Sequence, residues 1–202
     1  SEKLWTRFLQ TSVGASVLMC GYGLLQLSGS IVINQGGVRV DGTLGNATYL
    51  AIYVVFHIFF TALLFVKHRG ASWVRWLYGL IILLQIYILY YTATRGAIIG
   101  LFFGAIIAAA LIALFEREQR QLRKVALGTI AVIVIVIGGF LAVKNTSFVR
   151  DNPVLGRFAG ISLTQATTQS RLLVWTAALQ GFEESPLLGW GQESFNYVFN
   201  KF

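Results

Sequence analysis

Apolar residues fall along this chain in long unbroken blocks, not in alternation. Five blocks, at about 8–28, 46–66, 73–93, 95–115 and 125–143, are each long enough to cross a hydrocarbon core of roughly 30 Å as a helix. The run from Val125 to Val143, dense in Val and Ile, is the clearest of them, whereas the first is interrupted by Gly14, Gly21 and Gly23. His57 sits within the second, and the third runs from Trp73 to Ala93 with aromatic ends. At the junction of the third and fourth blocks, Thr92, Ala93 and Thr94 leave almost no loop before Arg95. Arg95 is therefore predicted at a membrane face, heading the fourth helix, since an arginine at a membrane helix centre costs roughly 2.5–3.5 kcal/mol on insertion scales.

After the fifth block the pattern changes. Asn152-Pro153 marks a helix start, and a short helix to about Ala159 would carry Arg157 outward or down toward the membrane. The polar stretch from Thr164 to Ser170 reads as a loop whose Thr or Ser caps a second helix at about 171–183. Leu172, Trp175, Leu179 and Phe182 recur there at helical spacing, which suits an element lying on the membrane or on the bundle. Pro186, Gly189 and Gly191 close it in a turn. Arg171 would open this second helix, where free N–H groups and the positive dipole end favour a bound anion. A solvated surface arginine fits the same residues.

Composition agrees with the blocks: 56% of the 202 residues are hydrophobic, 12% are charged, and the mean hydropathy is +0.69. The fold class is all-α, a polytopic membrane helical bundle with short helices in an extracytoplasmic loop. The positive-inside rule orients it. Lys3 and Arg7, then Lys67, Arg69 and Arg75, then Arg117, Arg120, Arg123 and Lys124 alternate to one side. The N-terminus is accordingly expected in the cytoplasm, with Arg95 and residues 144–202 outside. Of the sixteen Lys and Arg residues, Arg39, Arg95, Lys144, Arg150, Arg157, Arg171 and Lys201 remain for the outer side, enough to admit anionic ligands. The domains expected are a transmembrane bundle at 1–143 and an extracytoplasmic loop domain from 144 to 202.

Other chemistries find little support. The first block lacks the short apolar region and small-residue cleavage site of a secretory leader. Cys20 is the single cysteine and cannot form an internal disulfide. No Cys/His/Asp cluster has metal-ligand spacing, so no metal is expected. No phosphate-loop or dinucleotide fingerprint appears, no cofactor is expected, and nothing points to nucleic acid. Gly96, Gly100, Gly104 and Ala108 recur every four residues, a smooth ridge for close helix approach that would fix Arg95 at its outer end. Asn46 opens the second span on the same side as Arg95, either as a helix cap or as a substrate contact. Asp41, in a Val-Asp-Gly turn, suits a turn role. His57 reads as a packed helix residue, and Glu193 as a loop carboxylate or a sugar contact.

Together, three motifs resemble the O-antigen ligase family, which includes O-antigen polymerases and protein O-oligosaccharyltransferases. They are Thr94-Arg95-Gly96-Ala97 after a tyrosine-rich span, Gly45 to Ala51 opening the second span, and Ser170-Arg171 through Trp175 to Pro186-Leu187-Leu188-Gly189-Trp190-Gly191. The similarity covers roughly 40–200. It implies a GT-C-like enzyme of the bacterial inner membrane that takes a glycan from an undecaprenyl-pyrophosphate carrier. The acceptor is a hydroxyl on lipid A core, as in lipopolysaccharide, on another glycan or on a protein, and neither nucleotide sugar nor metal is used. By resemblance, Arg95 and Arg171 hold the donor pyrophosphate, with Arg157, Asn46 and Glu193 as further substrate contacts. The family supplies its catalytic base as a histidine downstream of the Pro-Leu-Leu-Gly turn. No histidine follows His68 here, so the chain is expected to be an incomplete part of the enzyme, inactive alone. An anion transporter or channel is the competing class, and a non-catalytic scaffold a third. Against transport, the hydropathy pattern holds no inverted repeat.

Overall fold

The computed structural model describes residues 1–68, 72–116, 119–160 and 166–201. All regular structure among them is helical, and the chain packs as two compact units, Ser1–Ala159 and Gly160–Phe202. The first unit is built on α1 (Glu2–Leu27), α2 (Ala47–Lys67), α3 (Ser72–Tyr91), α4 (Arg95–Phe115) and α5 (Arg120–Val143). Each is long and apolar enough to cross a membrane, which makes this a multi-pass membrane protein. The predicted spans agree within a few residues except at two basic ends. Helix α1 begins at Glu2 and not near 8, and α5 begins at Arg120 and not near 125. Lys3, Arg7, Arg120, Arg123 and Lys124 therefore occupy helical turns. The backbone ladder need not stop where the hydrocarbon does, because long basic side chains can reach sideways to water.

Helices α1, α2 and α3 enclose the core, in which Cys20, Val40, Leu50, Val54, Ile58 and Ile88 are buried together. The glycines of α1 do not break it. Gly23 lets it close on its neighbours, since a Cβ there would lie 3.2 Å from both Ile88 Cδ1 and Val40 Cγ1. A polar seam runs through the same three helices. Gln85 Nε2 donates to Ser16 Oγ at 2.8 Å, and Thr61 Oγ1 lies 3.2 Å from Gln85 Oε1. His57 contacts Ser12 Oγ through Nε2 at 2.9 Å and the Tyr53 carbonyl through Nδ1 at 2.7 Å. A carbonyl can only accept, so Nδ1 is the donor. His57 is the hydrogen-bonded helix residue that its position suggested.

Helices α4 and α5 pack on each other and leave most of their apolar surface exposed, as suits lipid contact. The glycine ridge of α4 does not form the extended seam expected of it. Only Gly104 meets a neighbouring helix closely, its Cβ position lying 3.1 Å from Phe59 Cζ, while Gly96 and Gly100 face open space. Helix α4 touches α2 over a short stretch, so most of the ridge is not used.

The long connection 28–46 is held by buried polar bonds. Gln26 Nε2 donates to Asp41 Oδ1 at 2.7 Å and to the Val32 carbonyl at 3.0 Å. Asp41 Oδ2 accepts from the Gln35 backbone N–H at 3.0 Å, and Gln26 Oε1 from that of Gly42 at 2.9 Å. Gln35 Oε1 in turn accepts from the Ala47 N–H at 3.1 Å. Asp41 is fully buried, and Gly42 supplies the left-handed turn beside it, with φ +59°.

After α5 the chain makes α6 (Ser147–Arg150) and α7 (Leu155–Ala159). Asn152 Oδ1 accepts from the N–H groups of Val154 and Leu155 at 2.9 Å, and from the Tyr90 hydroxyl at 3.2 Å. One amide oxygen thus starts α7 and ties it to the end of α3. The second unit pairs α8 (Ala166–Glu184) with α9 (Phe195–Lys201). Trp190 Nε1 donates to the Gly181 carbonyl at 2.8 Å, Val198 rests against Gly181, and Lys201 bonds Glu184 and lies 5.0 Å from the Trp190 ring centre.

Candidate functional site

Arg95 is the first residue of α4, and the turn before it has no slack. Thr92 N donates to the Ile88 carbonyl and Ala93 N to that of Tyr90, each at 3.1 Å, so both continue the last turn of α3. Ala93 then reverses the chain in the left-handed region at φ 49°, with 1% of its surface exposed. Thr94 occupies the N-cap position but does not cap with its side chain. Its hydroxyl lies 3.3 Å from the carbonyls of both Ala47 and Thr92. The first N–H groups of α4 are left without a side-chain cap, and the positive end of the helix dipole coincides with Arg95.

A second arginine braces this turn. Arg39 Nε donates to the Thr92 carbonyl at 3.2 Å, and Nη2 reaches Thr94 Oγ1 at 3.5 Å. The adjoining backbone bond from Val40 N to the Tyr91 carbonyl, at 3.1 Å, fixes the segment beneath it. Burial holds the Arg39 guanidinium below the ordinary arginine range, and the charge of Arg157 pushes in the same direction. Arg157 arrives on α7, which the Tyr90–Asn152 bond ties to the same end of the bundle. Arg39, Arg95 and Arg157 therefore collect around one end of α3 and α4.

Asn46 lies at this end too, where its Oδ1 accepts from the N–H groups of Thr48 at 2.8 Å and Tyr49 at 3.4 Å. Its oxygen caps α2. Arg171 and Glu193 belong to the second unit. Arg171 does not open α8, as the sequence suggested; the helix starts at Ala166, which makes Arg171 its sixth residue. Residues 166–170 are helical, and Ser170 Oγ donates back to the Ala166 carbonyl at 2.8 Å, so this polar side chain is accommodated within the helix. The dipole argument, which holds only within the first turn, no longer applies to Arg171. Thr164 and Gln165, expected in the capping loop, lie outside the described residues. Glu193 is exposed, in a turn that places it at φ 59°.

In the sequence Arg39 stands out only as one of the outer charges. The one local signal was an arginine set between Val38 and Val40 in an otherwise glycine-rich and polar connection. No group of three or more His, Cys, Asp and Glu residues among the described ones could hold a metal ion.

Comparison with known proteins extends the geometry. A family model described as O-antigen ligase matches residues 78–202. The matched span takes in Arg95, Arg157, Arg171 and Glu193 and leaves out Arg39 and Asn46. No curated protein and no solved structure matches the chain.

Proposed function

Because the chain belongs to the O-antigen ligase family, a family of membrane transferases of lipid-linked glycans, we propose that it works on an undecaprenyl-pyrophosphate donor at the outer face of the bacterial inner membrane. The glycan passes to an acceptor hydroxyl on lipid, glycan or protein. The observation that carries this reading is Arg95 at the side-chain-uncapped start of α4, with Arg39 braced on the turn before it.

The chemistry asks for such an arrangement. As the bond between the sugar's anomeric carbon and the phosphate oxygen breaks, negative charge grows on the departing pyrophosphate. The acceptor oxygen forms the new bond and gives its proton to a general base, the part that the family assigns to a histidine. Fixed guanidinium groups stabilise the leaving charge without reorganising, and their planar forks match phosphate oxygens. In this reading Arg95 binds the pyrophosphate where the lipid head meets the membrane surface. Arg171, Asn46 and Glu193 remain contacts proposed by family resemblance. The two histidines are not placed for this work: His57 is engaged inside the bundle, and His68 ends α2 at the opposite end from Arg95. No metal takes part.

The test is binding of a short-glycan undecaprenyl pyrophosphate to the protein in lipid nanodiscs. Arg95→Ala and Arg171→Ala should each weaken it by roughly 30-fold, the equivalent of about 2 kcal/mol for lost charge-assisted hydrogen bonds. Wild-type affinity in both variants would remove the pyrophosphate role from the two arginines. Anion flux through liposomes lacking any lipid donor would favour a transporter instead.

A further inference from the structure

Helix α8 is apolar on two opposite flanks. At about 100° per residue, Val174, Ala177 and Gly181 share one flank, where Ala177 is buried and Val198 of α9 rests against Gly181. Leu172, Trp175, Leu179 and Phe182 share the other and take up about 80° of the helix circumference. Between 48% and 63% of each of these four remains exposed. A helix apolar on both flanks asks for a partner on each, and α9 covers only one.

The turn after α8 adds to this surface. Leu187 and Leu188 are each 95% exposed, yet the backbone that carries them is fixed. Gly189 N donates to the Ser185 carbonyl at 3.0 Å, Gly189 takes the left-handed conformation at φ 64°, and Trp190 Nε1 donates to the Gly181 carbonyl at 2.8 Å. Two adjacent leucines are thus presented at a set tip, with a tryptophan at its base. An apolar patch of this kind, carrying aromatic rings, suits the boundary between hydrocarbon and headgroups, where tryptophan and tyrosine gather. Arg171 and Glu183 border the stripe on α8, and such side chains can turn their charged ends sideways to headgroups and water.

The chain itself keeps a bilayer within reach. Helix α7 lies at the membrane face where α3 and α5 end, tied there by the Tyr90–Asn152 bond and by Phe158, whose ring centre is 6.5 Å from that of Phe140 on α5. Only seven residue steps lead from Ala159 to Ala166, and an extended chain gains at most about 3.6 Å per step. Chain length alone therefore keeps the start of α8 within roughly 25 Å of that face. We propose that the Leu172–Trp175–Leu179–Phe182 stripe and the Leu187-Leu188 tip dock on the membrane surface, with the leucines in the hydrocarbon and α8 along the headgroup boundary. The sequence left both the membrane and the bundle open as supports for this helix. The exposed tip favours the membrane, because fluid lipid admits a rigid apolar wedge without a matching pocket. This docking does not depend on the donor reading and stands or falls apart from it.

The experiment uses the whole chain in nanodiscs of phosphatidylethanolamine and phosphatidylglycerol, with a nitroxide attached at Leu179→Cys, Leu187→Cys or Asn200→Cys. Cys20 is buried, so wild type should take up no label, and a Cys20→Ala background replaces it if it does. Asn200 is exposed on the side of α9 opposite Val198, turned away from α8, and serves as the reference in water. All three labelled positions are exposed, where substitutions leave the fold intact. Oxygen concentrates in lipid and nickel-EDDA in water, so the ratio of their collision rates with the nitroxide reads its depth. That ratio should be about threefold or more higher at 179 and 187 than at 200. Equal ratios at the three sites would place the patch in water and overturn the proposal. Low collision rates with both reagents at 179 and 187 would mean that protein covers the patch, whether the spans or a second copy, and would overturn it as well.

Discussion

Replacing Asp41 with alanine tests whether the buried polar bonds hold the 28–46 connection in place. The side chain accepts from Gln26 Nε2 at 2.7 Å and from the Gln35 N–H at 3.0 Å, with none of its surface exposed. Hydrogen bonds to a charged group contribute about 1.5–3 kcal/mol each, and the cost is felt most when a buried donor loses its partner. Gln26 keeps the Val32 carbonyl and the Gly42 N–H, which limits its loss. The Gln35 N–H has no such reserve among these bonds. The net cost should therefore be about 3 kcal/mol, nearer one full bond and part of a second than the sum of both. For a chain of this size that corresponds to about 6–12 °C in the unfolding midpoint. Asp41→Asn keeps one acceptor oxygen but points an amide donor at another donor, so about half the loss is expected. The buried thiol of Cys20 provides the assay, since it packs with Val40, one residue from Asp41. A thiol-reactive fluorophore added during a thermal ramp in nanodiscs reports when this core opens. Midpoints within about 1 °C of each other for wild type and Asp41→Ala would refute the argument, as would an Asp41→Asn variant less stable than the alanine.

Two further outcomes follow from the packing. Gln85→Leu should cost only about 1 kcal/mol, because Ser16 and Thr61 each keep a backbone acceptor at 2.7 Å, the carbonyls of Val13 and His57; a fall of more than about 8 °C in the same thiol assay would mean the seam acts as one unit. Gly181→Val places a branched side chain where Val198 already lies, so α9 should lift from α8 at a cost of about 3 kcal/mol. Chymotryptic cleavage at Trp190 and Tyr197 should then quicken, and an unchanged cleavage rate would count against this packing.

The five spans could be read from the sequence because each is set by its own apolar length, independent of any partner. The Thr92–Thr94 corner was legible for the same reason: two long apolar runs left only three residues to turn in. Asp41 was visible as a turn residue, and Gly42 does turn there, but its burial depends on Gln26, fifteen residues earlier and inside α1. No local pattern carries such a pairing. Arg39 was hidden likewise, since its hydrogen-bond partners lie more than fifty residues away. The start of α8 was misread because Thr, Gln and Ser between 164 and 170 favour loops on average, whereas here the residues from 166 onward join a helix, in which Ser170 bonds back to the Ala166 carbonyl.

The corner between α3 and α4 limits how this chain can vary over time. The amides of Thr92 and Ala93 are already spent on α3, Ala93 is buried in a left-handed conformation, and Thr94 reaches across to Ala47. An inserted or deleted residue has nowhere to go except into one of the two helices. There it would turn everything beyond by about 100°, the angular step of a single helical residue, and swing Arg95 away from the side on which Arg39 waits. Substitution is open to this corner on a short alphabet, with glycine the natural alternative at 93, but a change of length is not. Among descendants of this sequence, gaps should be absent from positions 92–94 even where neighbouring side chains have drifted.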